Sequence, residues 1–240
     1  MWNLFNIDNL NFDFQGEANY IYCDPIYEDL GYSVWIDKYW QYLKPNSIFC
    51  IQTDFHTCPD IWYYIKHHIK ANLVSHSAWK CEWGNYAKNY PHQCFDDLLI
   101  FSNGKDWKYY PERVQVPKAT AGTKLNPSGR QTKPATAWID DVVLTTTSKE
   151  RVKKNDGHLL AWQKPLGLYD RVTLPFTDEE DLILDPFMGS GSLGCWSVKN
   201  HRDYVGIEND PEVFELAKKR ISLESSLMKN AEIYNQLSFV

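Results

Sequence analysis

The stretch DLILDPFMGSGSLG (181–194) decides the fold class, because it combines a strand, a tight turn and the start of a helix. The apolar run predicts a β-strand over 181–185 that ends in Asp185, and a helix follows the turn to about residue 200. Three glycines at GxGxxG spacing permit the turn and let a ligand approach the main chain: Gly189, Gly191 and Gly194. The next strand, DYVGIE (203–208), ends in Glu208, where a carboxylate can accept hydrogen bonds from both hydroxyls of a ribose. This strand–helix–strand unit predicts a nucleotide-type cofactor.

The charge at the end of the first strand indicates which cofactor fits. Asp185 is expected to face the position of a dinucleotide pyrophosphate, and two negative charges repel each other. A carboxylate there suits a cation, such as the ammonium group of a methionine moiety. Only about 30 residues follow Glu208, too few for the rest of a nucleotide-binding sheet, so the other strands are expected from the N-terminal half. A nicotinamide-dependent oxidoreductase is the less favoured alternative.

The rest of the chain alternates β-rich and helical patterns, which is typical of an α/β fold with a mostly parallel, twisted sheet and helices on both faces. Strands are predicted at 19–23, 47–52, 72–80 and 96–103. Helices are predicted over 28–44, from Pro59, over 165–176, and from Asp210 as N-cap and Pro211 as first helical residue. The periodicity fades between 104 and 157, which we interpret as loop with short irregular pieces. We expect a single domain over residues 1–240.

Charge limits the classes of partner. The formal net charge of −6 argues against a protein that coats nucleic acid non-specifically. Residues 118–154, however, carry eight Lys and Arg against three acids, a segment charge of +5 that leaves about −11 on the remainder. Such asymmetry is typical of a segment that faces a polyanion. The 10 Trp and 15 Tyr would suit base stacking, although any single ring is more often part of the core.

Cysteine usage and hydropathy restrict the compartment. None of the six cysteines forms a CxxC pair, so reduced thiols are expected rather than a disulfide framework or a zinc site, and no metal is predicted. The sequence begins without a secretion-signal pattern, and no apolar run approaches the roughly 18 residues of a membrane span. These features predict a cytoplasmic protein without a membrane partner.

Three ordered motifs resemble the β-class, S-adenosylmethionine-dependent DNA amino-methyltransferases. DLILDPFMGSGSLG and DYVGIEND resemble the cofactor motif of that family, and Asp24-Pro25-Ile26-Tyr27 stands where the family carries D/S/N-P-P-Y/F. HLLAWQKPLGLYDRV (158–172) is similar to the family's HPTQKP helix, and NPSGRQTKPATAWIDDV (126–142), followed by Lys149-Glu150-Arg151, resembles the connector before it. The resemblance covers residues 19 to 222 and implies a Rossmann-like methyltransferase fold with circularly permuted motif order.

The resemblance assigns the amine-holding site to the tetrapeptide. Asp24 and the carbonyl of Pro25 would accept the two N–H groups of the target amine, and Tyr27 would stack on a base flipped out of the duplex. Ile26 replaces the usual proline, which removes rigidity rather than a chemical group. An Asp in the first position resembles the adenine-N6 enzymes, whereas cytosine-N4 members more often carry Ser.

Other residues are carried over position by position. The cofactor would be held by Asp185, Phe187, Gly189, Gly191 and Glu208, with Lys164 near its methionine end. The basic target-recognition and connector segment, residues 104–157, would neutralise phosphates of double-stranded DNA. Its candidates are Lys124, Arg130 and Lys133, and Lys80 beside Trp79 resembles a strand near the base pocket. His158 and Gln163 lie in the segment similar to the HPTQKP helix and are further candidates.

The resemblance therefore implies a site-specific enzyme that methylates N6 of adenine in DNA, in bacterial restriction-modification. Three alternatives stay open: transfer to cytosine N4, transfer to adenine N6 in RNA, and a cofactor-binding but inactive partner subunit. The recognition segment is short, which suggests a short target sequence or a second subunit, as in a homodimer.

Overall fold

The structure is a computed structural model that describes residues 1–26, 31–81, 88–89, 91–160 and 162–237. Ten strands are described: β1 (Trp2–Asn6), β2 (Ala18–Cys23), β3 (Leu43–Thr53), β4 (Asn72–Lys80), β5 (Phe95–Ser102), β6 (Gln115–Pro117), β7 (Thr132–Pro134), β8 (Trp138–Ile139), β9 (Leu182–Asp185) and β10 (Asp203–Glu208). The α-helices of these residues are α1 (Tyr32–Trp40), α2 (Cys58–Tyr64), α3 (Leu166–Val172), α4 (Ser192–Lys199) and α5 (Pro211–Leu237).

Eight strands form one sheet in the order β1-β10-β9-β2-β3-β5-β4-β8. All neighbours are parallel except β5, which is antiparallel to both β3 and β4. From β9 the chain passes through α4 to β10 on one side, and from β2 through α1 to β3 on the other. The winding direction therefore reverses between β9 and β2, the position at which open α/β sheets bind ligands. The expected mostly parallel α/β sheet is confirmed.

Two apolar cores cover the two faces of the sheet, as the alternation of side chains along each strand requires. On β2, Ile21 and Cys23 pack on one face with Trp35 and Ile36 of α1. Tyr20 and Tyr22 belong to the opposite core, which contains residues of α3, α4 and α5. Because β2 is buried on both faces over residues 20–23, that part of its sequence is a continuous run of Tyr, Ile and Cys rather than an alternating one.

The predicted strands agree with the structure to within a few residues, but β1 was not predicted. This edge strand pairs with β10 along Trp2–Asn6, and most of its side chains are exposed, so it lacks an apolar pattern. The helix expected over 28–44 is shorter, since α1 ends at Trp40; residues 27–30 lie outside the described ranges. The helix from Pro59 continues beyond α2 as one π-helical turn, Ile65–Ile69.

The target-recognition and connector segment, residues 104–157, contains the short elements that were expected there. β6 and β7 form a hairpin that carries a long loop, and β8 joins the sheet beside β4. The indole nitrogen of Trp79 donates a hydrogen bond to the Val142 carbonyl at 2.8 Å, which fastens the connector to the sheet. A role of this segment in target recognition stays a prediction.

The long helix α5 begins as predicted. Asp210 Oδ1 accepts hydrogen bonds from the main-chain N–H groups of Glu212 and Val213, at 2.8 and 3.1 Å, and Pro211 is the first helical residue. The helix packs through Phe214, among others, into the core beneath β10. Within the described ranges, no helix combines the length and the apolar composition needed to cross a bilayer.

We predict that Gly194→Ala lowers the free energy of unfolding by about 1–3 kcal/mol, because α4 and α5 are too close for a side chain there. A Cβ on Gly194 would overlap Ile221 Cδ1 and lie 2.8 Å from Tyr204 Cε1. Urea unfolding followed by circular dichroism measures the change. The matched control is Gly167→Ala in α3, where the new Cβ would meet Val142 at an ordinary 3.4 Å. Equal losses in both variants would contradict the packing argument.

Candidate active site

A cleft of about 680 Å³ opens at the carboxyl ends of β9 and β2. The two strands pair in parallel, with Tyr20 opposite Ile183 and Ile21 opposite Leu184, so that Asp24 and Asp185 follow at the same edge of the sheet. Both side chains line the cleft, as does Glu208 at the end of β10. The fold thus brings the tetrapeptide and the glycine-rich turn, distant in sequence, to one cavity.

The glycine-rich turn is held by the acids on either side of it. Asp185 Oδ1 accepts a hydrogen bond from the Phe187 N–H at 3.2 Å, and Glu208 Oε2 accepts one from the Gly189 N–H at 2.9 Å. Gly189 and Gly191 have φ values of 51° and 72°, which side chains rarely adopt. A Cβ on Gly191 would also lie 2.9 Å from Ala217 Cβ. Glycine is therefore required at 191 by both backbone conformation and helix contact.

Asp185 is a buried carboxylate in an unusual electrostatic setting. Burial raises its pKa to about 7, and the charges of Asp24 and Glu208 act in the same direction. Hydrogen bonds from the Tyr204 hydroxyl, at 2.9 Å, and from the Phe187 N–H oppose the shift. Burial likewise raises the pKa of Glu208. Burial thus disfavours the charged form of both carboxylates, and a bound cation would offset that cost.

The cleft is acidic along its length. Its lining contains five carboxylates and the ammonium group of one lysine: Asp8, Asp24, Asp185, Glu208 and Asp210, with Lys164. A pyrophosphate would be repelled by such a lining, whereas a ligand with ammonium and sulfonium charges would be attracted. The residues present therefore fit a cationic nucleoside cofactor better than a dinucleotide.

Lys164 contacts the tetrapeptide directly. Its Nζ lies 2.7 Å from Asp24 Oδ2 and 3.3 Å from the carbonyl oxygen of Trp162, and its side chain is 8% exposed. This ion pair fixes the orientation of the Asp24 carboxylate. The pairing was not predicted, since the sequence placed Lys164 near the methionine end of the cofactor.

Gln163 and Glu150 hold the Lys164 segment in place. The Gln163 side chain donates to the Glu150 carbonyl at 2.6 Å and accepts from the Val152 N–H at 2.9 Å. The Glu150 carboxylate accepts from the Leu166 N–H, at 3.0 Å, at the start of α3. Gln163 therefore joins residues 150–152 to the segment Gln163-Lys164-Pro165.

A second, smaller chamber of about 280 Å³ adjoins the cleft and shares Leu160, Trp162 and Lys164 with it. Trp79 and Asp96 line its far side. Asp96 Oδ2 accepts a hydrogen bond from the side-chain amide of Gln52 at 2.6 Å, and Gln52 in turn accepts one from the Tyr22 hydroxyl. Neighbouring chambers of unequal size can hold two reactants side by side.

Several residues at the site were missed by sequence reasoning. Trp162, at the border of both chambers, has a φ of 60° and is 80% exposed, and an exposed aromatic residue with a strained backbone is typical of functional sites. Asp8 lies in the turn after β1, where it accepts a hydrogen bond from the Leu10 N–H at 2.8 Å. Asp8 could have been found as an acid that follows a parallel strand, as Asp24 and Asp185 do. Because β1 was not predicted, this position was not recognised as the end of a strand.

Of the remaining predicted residues, some lie at the cleft and others lie on the exposed surface away from it. Pro25 is buried, Ile26 is exposed at the rim of the cleft, and Tyr27 lies outside the described residues. Phe187 lines the cleft and packs edge-on against Trp35. Lys80, at the end of β4, and His158 are exposed and line neither chamber. The three connector cations are also exposed, two in the loop of the β6–β7 hairpin and one on β7: Lys124, Arg130 and Lys133.

Comparison with known proteins gives consistent matches. The model of a family described as DNA methylase matches residues 20–219. The type II methyltransferase M.HpaI of Haemophilus parainfluenzae is 26% identical over 192 residues, which cover 79% of this chain and 58% of that protein. The type II methyltransferase M2.MboI of Moraxella bovis is 48% identical over 68 residues, 28% of this chain and 25% of that protein. The chain therefore spans less than two thirds of the length of either relative.

Solved structures share the fold. The complex of M1.HpyAVI with SAM has a TM-score of 0.67 at 20% identity, over 92% of this chain and all of that one. The cytosine-N4-specific PvuII DNA methyltransferase also has a TM-score of 0.67, at 13% identity, over 91% of this chain and 86% of that one. At these identities the likeness concerns the arrangement of strands and helices.

We predict that Asp185 makes the ligand-free protein less stable as the pH rises. Because its pKa of about 7 in the folded protein exceeds the ordinary value of about 3.9, this residue's contribution to stability is complete below about pH 4 and is lost as the pH rises through 7. Asp185→Asn keeps the shape and stays neutral. The free energy of unfolding of the variant relative to the wild type should therefore increase from pH 4 to 8, by on the order of 4 kcal/mol.

Urea unfolding of both proteins across this range measures the difference. Glu17→Gln, at an exposed acid directly before β2, serves as the control for the removal of a surface carboxylate. A pH-independent difference between Asp185→Asn and wild type would contradict the prediction.

Proposed function

The chain belongs to the DNA methylase family that modifies N6 of adenine or N4 of cytosine, and we propose that it transfers a methyl group from S-adenosylmethionine to the amino group of a base in DNA. The observation that carries this proposal is the cleft in which Asp24 meets Asp185 and Glu208. One end presents carboxylates and a glycine-rich turn suited to a cationic nucleoside. The other presents a hydrogen-bond acceptor suited to an amine.

The cofactor would be held by the chain's own acids and turn. Glu208 would accept hydrogen bonds from the ribose hydroxyls, and each of its oxygens can accept a bond besides those it has from Gly189 and Asp210. Asp185 would face the ammonium group, whose charge offsets the cost of ionising a buried carboxylate. Asp8, beyond β1, would lie at the far end of the ligand. When bound, S-adenosylmethionine supplies an activated methyl group on a sulfonium leaving group.

Asp24 and Pro25 would prepare the amine. An exocyclic amine is a poor nucleophile because its lone pair is delocalised into the ring. Acceptance of its N–H groups by the Asp24 carboxylate and the Pro25 carbonyl draws the nitrogen toward a tetrahedral shape and points the lone pair at the methyl carbon. A carboxylate offers about four lone-pair sites, so Asp24 can bind Lys164 and the amine together. Transfer would join the nitrogen to the methyl carbon as the methyl–sulfur bond breaks, with S-adenosylhomocysteine as the leaving product. The proton that the nitrogen loses would pass to the Asp24 carboxylate and on to solvent.

The smaller chamber is the proposed site of the flipped-out base. It adjoins Lys164, and the exposed ring of Trp162 offers a stacking surface at its entrance. Tyr27, outside the described residues, is proposed for the same task by its place in the motif. The exposed cations of the connector would contact the phosphates: Lys124, Arg130, Lys133 and, from β4, Lys80.

Adenine N6 is the proposed target because the motif begins with Asp24, where cytosine-specific members of the family more often carry Ser. Solved relatives of the same fold include a cytosine-N4-specific enzyme, so the fold itself does not choose the base. The relatives are type II methyltransferases, which favours site-specific methylation within a restriction-modification pair.

Incubation with tritiated S-adenosylmethionine and a mixture of DNA and RNA, followed by nucleoside chromatography, tests the substrate. We expect label in N6-methyladenine from DNA. Label in N4-methylcytosine, or in RNA alone, would contradict the proposed target. Cofactor binding without transfer to either nucleic acid would instead favour an inactive partner subunit.

We predict that Asp24→Ala lowers the rate of methyl transfer by at least about 100-fold while cofactor affinity changes little, because Asp24 acts on the amine rather than on the nucleoside. Single-turnover transfer and calorimetric titration of S-adenosylmethionine separate the two effects. Glu17→Gln, at an exposed acid directly before β2 and therefore at the edge of the sheet opposite the cleft, should leave both unchanged. Full activity of Asp24→Ala would refute the role of the tetrapeptide, and a parallel loss of cofactor affinity would indicate a cofactor contact instead.

A further inference from the structure

Three side chains of metal-binding type converge on the sheet face that α1 and α2 cover. Cys58 is the first residue of α2, His76 lies on β4, and Asp97 lies on β5. Cys58 Sγ is 3.9 Å from His76 Nε2, and His76 Nε2 is 2.6 Å from Asp97 Oδ1. One ligating atom from each residue lies within 4.8 Å of the other two. None of the three lines the cleft or its neighbouring chamber.

Burial makes this cluster unlike an ordinary surface group of polar residues. Cys58 is 5% exposed and Asp97 is 6% exposed, whereas the His76 side chain is 38% exposed and opens the cluster to solvent on one side. Burying a carboxylate is costly unless it is paired or coordinates a cation. The imidazole supplies one partner for Asp97 in the ligand-free protein.

We propose that Cys58, His76 and Asp97 bind one divalent transition-metal ion of the zinc type, with water as a fourth ligand on the exposed side of His76. One sulfur, one imidazole nitrogen and one carboxylate oxygen form a mixed set that suits zinc and cobalt(II), whereas calcium and magnesium prefer oxygen ligands throughout. A thiolate and a carboxylate together carry two negative charges, which a divalent ion neutralises. Binding would displace the thiol proton of Cys58, and any hydrogen on His76 Nε2 would move to Nδ1 or to solvent so that this nitrogen can bind the ion.

The present spacing needs little adjustment to hold such an ion. Bonds of about 2.0–2.3 Å in a tetrahedron place the ligand atoms roughly 3.5 Å apart. The two separations of 2.6 and 3.9 Å lie on either side of that value, so shifts below about 1 Å suffice. The ion would tie the start of α2 to the antiparallel strands β4 and β5, which gives it a structural role away from the chemistry of the cleft.

The sequence did not predict this site, because its members are separated by 18 and 21 residues and form no CxxC pattern. The sequence-based expectation of no metal rested on such spacing. The fold brings the residues together through one helix–strand contact and one strand pairing, with Asp97 opposite Ala78 in the β4–β5 register.

Cobalt(II) titration of the chelator-treated full chain tests the proposal. A bound thiolate gives cobalt a strong charge-transfer band in the near ultraviolet, and we expect it to saturate at one ion per chain. We also expect zinc at about 100 times its dissociation constant to raise the melting temperature by about 5–10 °C. The absence of the charge-transfer band in the wild type would overturn the proposal.

Three variants identify the ligands. Cys58→Ser should abolish the charge-transfer band, and Asp97→Asn, which keeps the shape of the side chain, should weaken cobalt binding by at least tenfold. Cys94→Ser, at a half-buried cysteine outside the cluster, should bind cobalt as the wild type does. If Cys58→Ser does not fold, His76→Gln at the half-exposed ligand serves in its place. A band retained in Cys58→Ser, or lost equally in Cys94→Ser, would assign the metal elsewhere and overturn the proposal.

Discussion

The parallel pairing of β2 with β9 is the contact on which the candidate site depends. Tyr20 lies opposite Ile183 and Ile21 opposite Leu184, although the two strands are some 160 residues apart in the sequence. Because both faces of β2 are buried, a slip of one residue would move the side chains of each core into the other, where they do not fit. The two cores therefore fix the register, and the register fixes where Asp24 stands relative to Asp185.

The same placement creates an electrostatic cost that the protein offsets only in part. Burial, together with the charges of Asp24 and Glu208, raises the pKa of Asp185, so a negative charge on this carboxyl group is unfavourable in the ligand-free cleft. Lys164 compensates part of this charge through its ion pair with Asp24. An acidic, partly desolvated cleft favours a cation over a pyrophosphate, which agrees with the proposed cofactor. The unfavourable charge lowers the stability of the ligand-free protein, and binding of a cationic ligand would recover that free energy.

The regular elements could be predicted where a single strand or helix carries a complete local signal. β4 and β10 have the predicted bounds, and α5 begins at the predicted cap, because apolar runs and an Asp-Pro cap are local features. β1 could not be predicted, since a short and mostly exposed edge strand is stabilised by its partner β10 rather than by its own pattern. The sequence of residues 104–157 predicts a loop. Its conformation in the folded protein depends on tertiary contacts such as the Trp79–Val142 hydrogen bond.

The sequence alone determined the α/β class, the nature of the glycine-rich turn and the identity of the carboxylates at the ends of three strands, because strand ends and tight turns are encoded by neighbouring residues. Only the tertiary structure decided which of these groups meet. Lys164 and Asp24 are about 140 positions apart in the sequence, and Cys58 and His76 are 18 apart. The second chamber likewise combines residues from distant parts of the chain. Local patterns cannot encode such pairs, because their separation in space is set by strand order and helix packing.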